Sequence, residues 1–159
     1  MEFRIEKISE KLLVGMNEKM SYIDDKTFKL WRNFMPNRNT IKNRVDNKYY
    51  SLQVYDEVFD YHNLNPAKIY TKWALVEVTS VENLAENMEV YRLKSGMYAV
   101  FIHIGPASSF AKSLKYIYQE WMPKSGYTVD NREHFEILEE GYDPTKEDAK
   151  EEIWIPICK

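Results

Sequence analysis

Apolar and polar positions alternate with a period of two along most of the chain, and twice this gives way to a helical period. "FRIEKISEKLLVGM" (3–16) alternates and then closes on Leu12, Leu13 and Val14, a strand pattern. In "DKTFKLWRNFM" (25–35) Phe28, Trp31 and Phe34 or Met35 fall on one face of a helix. Ser21 and Asp24, three apart, form an approximate capping box before it, and Pro36 is expected to end it. "NRNTIKNRVDN" is polar loop. "YYSLQVYD" and "KWALVEVT" carry the β-branched and aromatic residues of strands, while "EVFDYHNLNPAKIYT" between them has no clean period and predicts an irregular loop.

The plan then repeats. "MEVYRLKSGMYAVFIHIG" predicts two strands around a turn at Lys94, Ser95 and Gly96. "PASSFAKSLKYIYQEWM" opens on Pro106, suited to a first helical position, and carries an amphipathic stripe of Phe110, Leu114, Ile117, Tyr118 and Trp121. Pro123 is expected to stop it, and "HFEILEE" and "EIWIPI" are the last strands. "FMP" at Phe34–Pro36 answers "WMP" at Trp121–Pro123, and "VYD" at Val54–Asp56 answers "GYD" at Gly141–Asp143; each pair is 87 residues apart. Trp73 then stands as the counterpart of Trp154. The expectation is an α+β fold. Two β-α-β-β repeats, about 1–80 and about 88–159, are related by a pseudo-twofold within one domain over 1–159. They form one antiparallel sheet with two main helices packed on it, and a ligand-sized cleft at the junction.

Composition narrows the function. A net charge of -3 argues against nucleic acid, which favours a basic surface. No apolar run reaches membrane-spanning length, and the start has no signal-peptide core, so no membrane partner and a cytoplasmic location are expected. Cys158 is the single cysteine, which excludes an internal disulfide. His62, His103 and His134 are scattered without metal-ligand spacing, and neither a nucleophile elbow nor a Gly-rich loop is present, so no cofactor or metal is expected. Aromatics reach 14%, with 12 Tyr, 7 Phe and 4 Trp, a composition that suits binding surfaces as well as cores.

The stretches "GMYAVFIHIGP", "IYQEWMPKSGY", "HFEIL" and "EEIWIPI" resemble, in order and spacing, the GyrI-like small-molecule-binding domains, which also serve as effector-binding domains of AraC- and MerR-type drug-responsive activators. The resemblance extends more weakly over the first half, and it implies two β-α-β-β repeats; because strand-like pattern begins by Phe3, a stand-alone domain with no DNA-binding domain is expected. It also implies that Glu136 lies at the bottom of an aromatic pocket facing lipophilic, often cationic ligands. Pattern alone, an acid among Phe135, Ile137 and Leu138, favours a glutamate facing solvent on a half-buried strand, and the resemblance reverses that preference. The family's Phe-Glu-x-Tyr strand departs here to Leu138, and Tyr98 or Tyr142 is the candidate replacement for the missing hydroxyl.

By alternation Glu152, Trp154 and Pro156 share one face of the last strand and Ile153, Ile155 and Ile157 the other. Glu152 and Trp154 either line the cleft or point away from it, according to which face meets the helices. Trp73 and Tyr98 are further pocket candidates, Trp31 and Trp121 fit plain core, and Glu151 is assigned to the charged loop "PTKEDAKEE". The expected function is binding or sequestration of lipophilic cations. The alternative implied by the resemblance is hydrolysis of reactive cyclopropane-type genotoxins with Glu136 as general base. A protein partner such as a topoisomerase is a third reading, without a sequence feature of its own.

Overall fold

A computed structural model describes all residues, 1–159. Its strands are β1 (Phe3–Ile8), β2 (Lys11–Met20), β3 (Tyr49–Val54), β4 (Tyr70–Glu77), β5 (Glu89–Leu93), β6 (Gly96–Ile104), β7 (Thr128–Val129), β8 (His134–Leu138) and β9 (Lys150–Cys158). The main helices are α1 (Thr27–Phe34) and α2 (Phe110–Tyr116), the second continuing through a π turn (Ile117–Trp121) into α3 (Met122–Ser125). All pairings are antiparallel, in the order β1-β6-β9-β8-β3-β4-β2-β5, with β7 added to β9. Read from the centre outward, β3 answers β8, β4 answers β9, β2 answers β6 and β5 answers β1. That is the expected pseudo-twofold.

The expected hairpin at Lys94–Gly96 is instead an exchange. β5 pairs with β2 and β6 with β1, so each repeat donates its first strand to the edge of the other. Residues 3–16 likewise form two strands, parted at Ser9 and Glu10. β1 and β2 stand six strand spacings apart, about 29 Å across a flat sheet. The three-residue step from Ile8 to Lys11 spans at most about 11 Å. The sheet must therefore coil. Its enclosed face holds one apolar cluster drawn from every long strand, including Leu52, Leu75, Tyr98, Val100, Phe135 and Trp154. The outer face holds two separate clusters, one under α1 (Leu30, Phe34, Ala74, Val76) and one under α2 (Phe101, Ile117, Ile153, Ile155). Helices on the outside of a curved sheet diverge, and the seam between them stays uncovered.

The helix boundaries differ from the sequence expectation for local reasons. Ser21 and Asp24 close a turn on each other, the Asp24 N–H donating to Ser21 Oγ at 3.1 Å, and the helix begins only after Lys26. Pro36 does not end the helical path, which tightens into a 3-10 stretch from Met35 to Thr40. Pro106 is extended and precedes a 3-10 turn rather than opening α2. Pro123 does not stop the second helix. A proline ring in a regular helix strikes the carbonyl four residues back; here the π turn, in which the Met122 N–H donates to the Ile117 carbonyl, widens that stretch. The helix stops at Gly126, whose φ of 80° admits the left-handed cap.

Strand starts give a closer register than the Met-Pro motifs. Lys11 and Gly96, and Tyr49 and His134, are each 85 residues apart rather than 87. At this spacing Ser51 and Glu136 are counterparts, and they face each other directly across the β3–β8 ladder. The connection after β3 is longer than its counterpart: Ser51 pairs with Ala74, 23 residues on, and Glu136 with Ile153, 17 on. Counterparts on the next strands are therefore Lys72 with Glu151, and Trp73 with Glu152. Trp73 is not the counterpart of Trp154.

Candidate functional site

The uncovered seam is a cleft of about 770 Å³, the largest cavity in the molecule. Its floor is the outer face of the four central strands. From β3 come Tyr49 and Ser51, from β8 Glu136 and Leu138, from β4 Lys72 and from β9 Glu151. One wall is α1 with Phe28 and Trp31, continued by Met35 at the start of the 3-10 stretch; the other is Phe110 and Ala107 with the β8–β9 loop carrying Tyr142 and Pro144. Phe28 is 77% exposed, an expanse of apolar surface at the rim without a partner of the core. α1 thus carries two stripes. Leu30 and Phe34 are buried under it, while Phe28, Trp31 and Met35 turn along its flank toward the cleft.

Glu136 sits where the two repeats meet. Gln53 Nε2 donates to its Oε1 at 3.1 Å, the one side-chain hydrogen bond that the carboxylate receives. Ser51 opposite is small. A strictly duplicated glutamate would place two carboxylates roughly 5 Å apart at Cβ, a directly opposed like-charge pair; the divergence leaves one acid with room above it. Burial pushes the Glu136 pKa up to about 7, reinforced by Glu151 and opposed by the Lys72 charge and the Gln53 hydrogen bond. Glu151 is 8% exposed, and burial raises its pKa as well, against the Tyr142 hydroxyl and Lys72. Two acids in a partly dry site with incomplete neutralisation favour an incoming cation.

One end of the seam is closed by a tyrosine-rich plug. The irregular segment between β3 and β4 folds back so that Phe59 and Tyr61 lie 5.4 and 5.0 Å from the Tyr118 ring, with Tyr61 stacked. Tyr55 and Phe59 pack on His134, itself held neutral by burial with a pKa of about 3. The Tyr22 and Tyr55 hydroxyls meet at 2.9 Å. The negative charge of Glu136 helps hold Tyr55, Tyr70 and Tyr118 above the usual phenol range, after burial itself, so the acid lies between plug and open cleft.

Of the residues singled out in the sequence, the structure brings Glu136 and Tyr142 into the cleft. Glu152, Trp154, Trp73 and Tyr98 lie on the enclosed face instead, because the isoleucines of β9 meet the helix. Glu152 accepts from Trp154 Nε1 at 3.1 Å and pairs with Arg4 at 2.9 Å, and the Arg4 guanidinium stands 5.5 Å from the centre of the Trp154 ring. Tyr98 donates to the Glu133 carbonyl at 2.9 Å, and Trp73 packs on Tyr91. Glu151, assigned from sequence to the charged loop, opens β9 and lines the cleft; Lys72, Trp31, Phe28 and Tyr49 join it there. Tyr49 is paired across the ladder with Leu138, so a phenol stands beside the position where the β8 tyrosine is missing.

The sequence matches the GyrI-like small molecule binding domain family over residues 1–157. The chain belongs to this family. Solved structures share the GyrI-like fold. SAV2435, solved bound to tetraphenylphosphonium, superposes with a TM-score of 0.74 at 18% identity, covering 99% of this chain and 94% of that one. The EcmrR C-terminal domain gives 0.73 at 14% identity, over 99% and 98%. A hydrolase from Listeria innocua gives 0.62 at 13% identity, over 99% and 92%. No curated protein matches the sequence significantly. As a GyrI-like domain the chain is a small-molecule binder, and its nine-stranded sheet with two main helices is the family's α+β arrangement. No helix is long and apolar enough to cross a membrane.

Proposed function

We propose that this GyrI-like domain binds lipophilic aromatic cations in the cleft between its repeats, with Glu136 as the principal counter-charge. The observation that carries this is a half-desolvated acid at the floor of a 770 Å³ cleft walled by Phe28, Trp31, Tyr49, Phe110 and Tyr142. A flat cation satisfies the carboxylate and gains about 0.5–2 kcal/mol from each ring it faces. Stacking tolerates many outlines, so selectivity rests on charge rather than shape. The tetraphenylphosphonium held by SAV2435 is a lipophilic aromatic cation, tetrahedral rather than flat. Calorimetric titration of tetraphenylphosphonium into wild type and Glu136→Gln at pH 8 tests the reading. The expected result is at least about tenfold weaker binding by the variant; equal affinities remove Glu136 from the site.

A second reading is hydrolysis, favoured by a carboxyl whose pKa of about 7 suits a general base and by the fold shared with the Listeria hydrolase. Glu136 would take a proton from water as its oxygen bonds to a ring carbon of an activated cyclopropane; the ring C–C bond breaks, its electron pair passes into the activating group, and a proton is returned there. Mass analysis of that compound after incubation separates the readings: conversion lost in Glu136→Gln supports the enzyme, and an unchanged compound supports the binder.

A further inference from the structure

The pseudo-twofold that puts Ser51 opposite Glu136 also puts Lys72 and Glu151 at equivalent places on the flanking strands, both lining the cleft. The floor of the cleft is therefore polarised across the repeat junction, with an ammonium from repeat one and carboxylates from repeat two, while Asp25 adds an acid at the repeat-one wall. Lys72 is half-buried, and its ammonium has no carboxylate within 4 Å and no side-chain hydrogen bond, although its charge reaches Asp25, Glu136 and Glu151. The acid directly opposite Lys72 across the β2–β4 ladder, Glu18, is engaged elsewhere, with Lys29 at 3.4 Å. Lys72 is held next to Gln53, the residue that donates to Glu136. A ligand bearing only positive charge thus meets repulsion from Lys72 along with attraction from the acids. A ligand that carries an acidic group beside its cation meets an acceptor-seeking ammonium at one end and the carboxylates at the other.

We propose that Lys72 makes the cleft selective for amphoteric aromatic ligands, molecules that combine a delocalised cation with a carboxylate, over purely cationic ones of the same shape. This rests on the cation-binding reading of the cleft and names the ligand class more closely. Lys72 is a specificity-determining residue, and the ligand carboxylate supplies the partner its ammonium lacks.

Rhodamine B and its ethyl ester differ only in whether that carboxylate is free, so they form the test pair, followed by fluorescence anisotropy at pH 8 with wild type, Lys72→Met and Glu136→Gln. Wild type is expected to bind the free acid about twofold to fivefold more tightly than the ester, the size of one partly exposed ion pair. Lys72→Met is expected to abolish or invert the preference by weakening the acid and tightening the ester, and Glu136→Gln to weaken both. A ratio of acid to ester unchanged by Lys72→Met overturns the proposal, while loss of ester binding in Glu136→Gln leaves the cation-binding reading standing. Failure of wild type to bind either dye removes both. A thermal-melt comparison establishes that Lys72→Met is folded, and Lys72→Arg, which keeps the charge, is expected to retain the preference.

Discussion

The two faces of β9 and β8 handle acids in opposite ways. On the enclosed face Glu152 is bonded by Arg4 and by the Trp154 indole, and the rings around it are packed against one another: Phe135 and Trp154 lie stacked at 5.0 Å, and Tyr98 fills the corner. On the outer face, one residue away in each strand, Glu136 has one side-chain donor and Glu151 has the Tyr142 hydroxyl nearby, and the rings stand apart around open space. The lesson is that proximity of a carboxylate to aromatics does not identify a binding acid. What distinguishes it is an unfinished set of partners beside a cavity.

That contrast can be broken at several points, the largest effect first. Trp154→Ala removes a stacked ring from the enclosed core and is expected to cost about 3–5 kcal/mol in denaturant unfolding. A loss below about 1 kcal/mol would mean the enclosed face is not the principal core. Glu136→Gln is expected to do the reverse and stabilise the fold, by about 1–3 kcal/mol at pH 8. The sign follows from a folded pKa of about 7 above an ordinary value of 4.5. Below pH 4.5 the acid is neutral in both states and wild type equals the variant. Through pH 7 wild type ionises against burial and loses stability, and above that the deficit is constant. Equal stability of the two proteins across this window would show that the carboxylate is well solvated.

Phe28→Ala sharpens the comparison from the other side. Its ring is largely exposed, so unfolding free energy should stay within about 0.5 kcal/mol of wild type, while affinity for tetraphenylphosphonium falls severalfold. Glu152→Gln, on the enclosed face, is the smallest case. Its half-exposed ion pair with Arg4 predicts a stability change of at most about 1 kcal/mol and no change in ligand affinity.

Much of the architecture is legible in the sequence because it depends on period. Strand alternation, two amphipathic helices and a doubled element order all follow from where apolar residues recur. The strand exchange is not, since β1 and β5 would pair equally well with their own neighbours in sequence; only the coil of the whole sheet decides. Nor is the choice of face on β9. Alternation divides Glu152 and Trp154 from Ile153 and Ile155, but both sets are apolar enough to be buried, and both are. The counterpart of Trp73 is hidden for a related reason: the loop after β3 is six residues longer between paired positions than the loop after β8, and a motif match across it carries the wrong spacing. A signal for the cleft wall did exist in α1, whose apolar residues are too many for a single buried stripe. Phe28, Trp31 and Met35 beside Leu30 and Phe34 require a second surface.

The central claim is that Glu136 is an acid held short of partners until a cation arrives, and the direct measurement is its own titration. With ¹³C-labelled glutamate and Glu136→Gln to assign the resonance, the side-chain carboxyl is followed by NMR against pH, with and without tetraphenylphosphonium. The expected midpoint is about 7 in the free protein, moving to lower pH when the cation binds because the charged form gains a partner. A midpoint near the ordinary glutamate value, unmoved by the ligand, would contradict the account.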